Sequence, residues 1–181
     1  TISKTGYLQE IPFKTSPEVT VALLKEKTSK DIKLLNIELP KDFKIIYSEK
    51  TDDVLRKMML VSDNFIAEQI LLVCASTLSN DLDTHDIITY SKTHFMNELA
   101  NEMNWVDGSG LSRYNLFKPN TSIALLKKIS NKINDEERLH SLFPAGGVSG
   151  TLKRAYKTDN DKAFVWAKTG TLSNVYNQSG Y

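Results

Sequence analysis

The sequence predicts a mixed α/β (α+β) fold, with helices through most of the chain and strands at its end. Apolar residues recur at helical spacing in successive segments between residues 17 and 143. The last 19 residues, "AFVWAKTGTLSNVYNQSGY", instead alternate small, apolar and polar side chains around Gly170, as two strands and a turn do. Helices first and sheet last argues against a regular βαβ array. With 181 residues, 40% hydrophobic and 25% charged, the chain has the size and composition of one moderate globular domain spanning 1–181.

The elements follow in order. Residues 17–28 place Val19, Ala22 and Leu23 on one helical face behind Pro17, a first-turn residue. "IKLLNI" (32–37) and "FKIIYS" (43–48) are short and β-rich and read as strands. Thr51 reads as the cap of a strong helix, with Asp52 and Asp53 in its first turn and Leu55, Met58 and Met59 on one face. Ser62-Asp63-Asn64 interrupts the apolar pattern, which resumes with Phe65, Ile66, Ile70, Leu71 and Val73. That second helix is apolar nearly all round and is expected to be central and buried. Cys74, the only cysteine, reads as a small core residue within it.

An amphipathic helix is expected over 84–103, with Ile87, Ile88, Phe95, Leu99 and Met103 inward. "WVDGSGLSRYN" (105–115) reads as a loop, 119–132 as a capped amphipathic helix, 135–143 as a short one, and "PAGGVSGTLKR" (144–154) as a glycine-rich loop. The sequence contains no repeat, no linker and no low-complexity block.

Several functions are disfavoured at once. Lys+Arg 23 against Asp+Glu 22 gives a net charge of +1, without the basic excess of a nucleic-acid or anionic-membrane binder. No stretch reaches the length of a transmembrane segment. His85, His94 and His140 lack paired metal-ligand spacing and read as solvated helix residues, so no metal or other cofactor is expected. GxxxxGK[ST], GxGxxG and GxSxG are all absent.

Three short motifs remain. Ser62-Asp63-Asn64 stands at a helix junction, "DGSGLSR" spans 107–113, and Lys168-Thr169-Gly170-Thr171 lies on a late strand. Each alone has an ordinary explanation: Ser, Asp and Asn cap helices, Asp-Gly-Ser-Gly makes turns, and Lys168 with Gly170 reads as an exposed edge-strand lysine and a turn residue. In this order and context they form one pattern. The chain resembles the penicillin-recognising serine peptidases, and within them the low-molecular-mass class C penicillin-binding proteins, which are D-Ala-D-Ala carboxypeptidases and endopeptidases. The resemblance covers roughly residues 50–181 and rests on "LRKMMLVSDNFIAEQ", "VDGSGLSRYNL" and "WAKTGTLSNVYNQSGY".

The resemblance implies a partial serine β-lactamase/transpeptidase-like domain, a helical cluster packed on an antiparallel sheet whose edge strand carries Lys168. It also implies catalytic roles for Ser62, Asn64 and Lys168. Ser62 would relay a proton to the leaving nitrogen, since a hydroxyl accepts and donates at once. Asn64 would hold the substrate backbone, and Lys168 would keep positive charge near the terminal carboxylate. Thr169, Gly170 and Thr171 would bind substrate: a hydroxyl, a backbone free to approach the ligand, and an N–H for the oxyanion. Asp107, Ser109, Gly110, Arg113, Gly146, Gly147 and Gly150 are expected to support the cleft, with direct substrate contact the alternative.

The family's S-x-x-K motif is missing: no serine here has a lysine three positions on, and Thr1-Ile2-Ser3-Lys4 supplies only T-x-x-K. With no initial Met and a strand-like end, the chain is expected to be a piece of a longer protein, cut at both ends and lacking the nucleophile. The intact protein would bind β-lactams and peptidoglycan D-Ala-D-Ala peptides in the periplasm or cell envelope, outside the cytoplasmic membrane. The alternatives are a non-catalytic cell-wall-binding or scaffolding homologue, or a serine β-lactamase or esterase of the same fold.

Overall fold

The computed structural model describes residues 16–79 and 81–181, so Thr1–Lys4 and its T-x-x-K lie outside the described residues. The chain divides into two units at Tyr47/Ser48. In the first, α1 (Pro17–Thr28) starts where the Ser16 hydroxyl accepts the Val19 N–H at 3.2 Å, and ends at left-handed Ser29. Residues 32–37 and 43–48 form no strand, contrary to the sequence expectation. Leu35, Ile37 and Ile46 are exposed, and no described strand pairs with either segment. β-rich composition alone does not hold an extended segment whose ladder bonds and apolar face go unmatched.

The second unit, Ser48–Tyr181, is a mixed assembly of helices and antiparallel strands. Helix α2 (Thr51–Val61) has Lys50 at its cap position, so Thr51 is its first residue and not its cap. Its start is tied to α6 (Glu136–Ser141) by a fork in which Arg138 donates from Nε and Nη2 to Asp52 at 2.7 and 2.9 Å. That pairing holds the Asp52 carboxyl below its usual range.

Helix α3 (Asn64–Ala75) is less enclosed than its composition predicts. Leu71 and Ala75 pack with Ile87 and Ile88 of α4 (Thr84–His94), but Val73 is 66% exposed and Cys74 lies on the surface. The described neighbours cover one side of the helix only, so its all-round apolar character is not matched by all-round packing.

Helix α4 ends at His94, well short of 103. The Thr93 hydroxyl bonds back to the Thr89 and Tyr90 carbonyls, and the His94 ring reaches Tyr90 O at 3.0 Å. Phe95 points outward, Met96 is buried, and Met103 belongs to β1 (Met103–Asn104). β1 pairs antiparallel with β2 (Leu116–Phe117), closing the neck of the 105–115 loop. Helix α5 (Pro119–Ile133) follows.

The chain then passes through a short 3-10 turn, Gly150–Leu152, in which Leu152 is 1% exposed. Burying such a side chain contributes about 2 kcal/mol, which fixes this loop against the body. β3 (Ala167–Leu172) and β4 (Val175–Gly180) form a hairpin that turns at Ser173-Asn174, so Gly170 is a mid-strand residue. Of the three histidines, His94 stacks on Tyr90 and His140 lies flat on Trp166 (3.8 Å between centroids, 2° between planes). His140 is thus a partly buried, packed aromatic surface, whereas His94 stays exposed at the end of α4, as the sequence predicts.

Candidate active site

The interruption at Ser62-Asp63-Asn64 divides two tasks among three residues. Ser62 ends α2 in the left-handed conformation (φ 57°, ψ 54°), and the Asp63 N–H closes the helix end on Met58 O at 2.9 Å. The Asp63 carboxylate then accepts the Ile66 N–H at 2.9 Å and caps α3. Asp63 is therefore the cap. Ser62 and Asn64, on either side of it, line a cleft. A non-glycine residue in left-handed space costs about 1–2 kcal/mol, and here that conformation puts the serine hydroxyl against β3.

Lys168 enters the same cleft from β3, donating from Nζ to Ser62 Oγ at 2.7 Å and to the Thr169 carbonyl. Burial pushes its ammonium below the ordinary lysine value. Among the described residues no carboxylate forms an ion pair with it. A half-buried cation facing a hydroxyl, without a neutralising partner, is suited to hold a negatively charged group or to exchange a proton with that hydroxyl.

The third wall is the 105–115 loop. Asp107 organises it: Oδ1 accepts from the Gly110 N–H at 2.6 Å and from Asn115 Nδ2 at 2.9 Å, while Oδ2 accepts the Ser112 N–H at 2.7 Å. Asn115 Oδ1 in turn accepts the Val106 N–H, and the Trp105 indole donates to Asp107 O. Trp105, Asp107, Gly108, Ser109 and Gly110 face Ser62, Asn64 and Lys168 across a cavity of about 290 Å³. Arg113 leaves the loop to reach Ser173 O at 3.3 Å. A larger open depression of about 720 Å³, bordered by Arg56, Glu136, His140 and Trp166, contains none of the predicted site residues.

Thr169, Gly170 and Thr171 do not line the cleft. Strand alternation places Thr169 opposite Lys168, and its hydroxyl donates to Thr151 Oγ1 at 2.9 Å. Gly170 and Thr171 are exposed, with open space where a Gly170 side chain would stand. Sequence reasoning passed over Glu68 and Thr151, which hold two of these walls in place. Glu68 stands one helical turn after Asn64, a spacing that was visible in the sequence.

Residues 42–181 match the D-Ala-D-Ala carboxypeptidase 3 (S13) family. The chain belongs to that family. It is 34% identical over 146 residues to D-alanyl-D-alanine carboxypeptidase DacB of Haemophilus influenzae, covering 74% of this chain and 29% of DacB. It is 27% identical over 144 residues to penicillin-sensitive carboxypeptidase A of Dictyostelium discoideum, covering 77% and 27% of the two chains. The fold is similar to that of penicillin binding protein 4 (dacB) of Haemophilus influenzae, solved in complex with a β-lactam. That superposition has a TM-score of 0.59 and 31% identity over 71% of this chain and 30% of the other. The chain thus spans less than a third of these relatives, as a low-molecular-mass penicillin-binding protein segment with a partial transpeptidase-like fold.

Proposed function

We propose that this S13-family chain forms part of a serine-type D-Ala-D-Ala carboxypeptidase or endopeptidase acting on peptidoglycan peptides in the cell envelope or periplasm. The reaction proceeds through an acyl-serine, and β-lactams occupy the same site. The observation that carries this reading is the Lys168–Ser62 hydrogen bond inside a cleft that Asn64 also lines. Ser62 passes a proton between the activated nucleophile and the departing amine, for which its hydroxyl is both acceptor and donor. Lys168 orients that hydroxyl and draws the terminal carboxylate of the substrate by charge. Asn64, exposed at the cleft mouth, offers an amide donor and acceptor to the substrate backbone. Thr169, Gly170 and Thr171 act through the strand beside the cleft, with the open face at Gly170 leaving room for an extended peptide.

The test is to express the complete open reading frame in which these residues occur and to measure D-Ala release from a diacyl-Lys-D-Ala-D-Ala peptide. Release that falls by at least about a hundredfold in Ser62→Ala and in Lys168→Ala is expected, the range for a lost proton-transfer or charge-stabilising group. Release unaffected by both substitutions would remove these residues from the chemistry.

A further inference from the structure

We propose that Glu68 is a positioning residue, whose carboxylate grips the Gly108 and Ser109 backbone amides and so sets the width of the cleft between Asn64 and the 105–115 loop. Its consequence for turnover rests on the reading proposed above; the grip itself does not.

Glu68 stands on α3, four residues after Asn64 and on the same side of the helix. Its two oxygens are divided between adjacent donors: Oε2 accepts the Gly108 N–H at 3.2 Å and Oε1 the Ser109 N–H at 2.9 Å. Both donors belong to the stretch of loop that faces Ser62, Asn64 and Lys168. A charged acceptor on two consecutive amides is stronger and more directional than neutral hydrogen bonds.

A second observation comes from the loop side. A side chain at Gly108 would meet Ala67 O at 2.7 Å and the Ala67 carbonyl carbon at 3.1 Å. The loop backbone is therefore seated directly on the α3 backbone, in the turn between Asn64 and Glu68. Asp107 holds the loop's internal shape through Gly110, Ser112 and Asn115, but none of those bonds reaches α3. Among the described residues Glu68 is the side chain that joins the loop to the helix carrying Asn64. With the grip loosened, the loop keeps its own fold and drifts from Asn64, and a substrate placed between them loses one wall. Such a change weakens binding more than it slows the chemistry.

The test uses Glu68→Gln, which leaves one good acceptor for two amides, and Gly108→Ala, which lifts the same backbone from α3 with Glu68 intact. Amide hydrogen exchange at Gly108 and Ser109 is read in this chain, and KM and kcat for D-Ala release in the complete protein. Exchange at both amides is expected to quicken about tenfold. KM is expected to rise about tenfold in both variants while kcat changes by less than about threefold. Glu68→Asp, which keeps the charge on a shorter stem, is expected to fall between Gln and the native residue. Unchanged exchange at Gly108 and Ser109 overturns the grip. Quickened exchange with unchanged KM, or an equal fall in kcat, overturns the positioning role. An unfolded Glu68→Gln leaves the decision to Glu68→Asp, in which unchanged exchange and KM overturn the proposal. A native protein that releases no D-Ala fails the proposed function alone, because the exchange measurement stands without it.

Discussion

Lys168 Nζ donates to Ser62 Oγ at 2.7 Å, although the two residues are 106 positions apart and sit on different kinds of element. The bond exists because α2 ends in a left-handed residue and β3 points alternate side chains toward that end.

The left-handed conformation of Ser62 has a measurable cost. Ser62→Gly and Ser62→Ala both remove the hydroxyl, so the difference between them isolates the backbone. The glycine variant is expected to be more stable than the alanine variant by about 1 kcal/mol. Urea denaturation of the two proteins checks it. Equal stabilities would mean that the junction relaxes out of left-handed space once the hydroxyl is gone.

Lys168 is expected to lose its proton below the ordinary lysine value, because burial disfavours its charge. The sign for stability follows. Between the lowered folded value and the ordinary value near ~10.4, the unfolded chain binds more proton than the folded one. Stability therefore rises with pH through that window and is diminished below it. Carbon-13 reductive methylation with NMR detection reads the titration directly. Lys168→Met should abolish this part of the pH dependence. A Lys168 resonance that titrates at or above the ordinary value would contradict the burial argument.

The 181-residue chain is expected to form no covalent adduct with a fluorescent penicillin. No serine in it has a lysine three positions on, and the lysine beside Ser62 comes from a strand. Intact mass spectrometry decides the matter. A stoichiometric adduct on Ser62 would make that residue the nucleophile and not a relay.

Gly150 ties the glycine-rich loop to α2 just before Ser62. It has φ +56°, and a side chain there would lie 2.8 Å from Leu60 O and 3.0 Å from Pro144 Cβ. Gly150→Ala is expected to destabilise the protein by about 1–3 kcal/mol through strain and overpacking. A thermal melt within one degree of the native protein would show that the loop can yield.

Val73 (66%), Leu116 (61%), Ile123 (63%) and Phe164 (59%) are apolar side chains left exposed on this chain. It is expected to self-associate at micromolar concentration, as read by sedimentation velocity. A single monomer peak across the concentration range would refute that.

What the sequence by itself determined was local and chemical. Proline placed the start of α1, the apolar spacing of Leu55, Met58 and Met59 placed α2, and alternation announced two closing strands, though not where they turn. These signals depend on neighbours a few residues away, and the motifs around Ser62, Asp107 and Lys168 were legible for the same reason. Tertiary structure decided whatever needed a partner from elsewhere in the chain. The β-rich segments at 32–37 and 43–48 found no strand partner among the described residues, because propensity supplies no second strand. Cys74 and Val73 came to the surface because apolar composition does not say which helix faces are covered. Helix α4 stopped at His94, with Phe95 exposed and Met96 buried just beyond it, a boundary that the apolar spacing does not mark. The left-handed turn at Ser62, the seat of Gly108 on Ala67 and the reach of Glu68 to two amides are matters of ångströms between distant segments. Residue type and spacing do not contain those distances, because they arise only when α2, α3, β3 and the 105–115 loop are packed against one another.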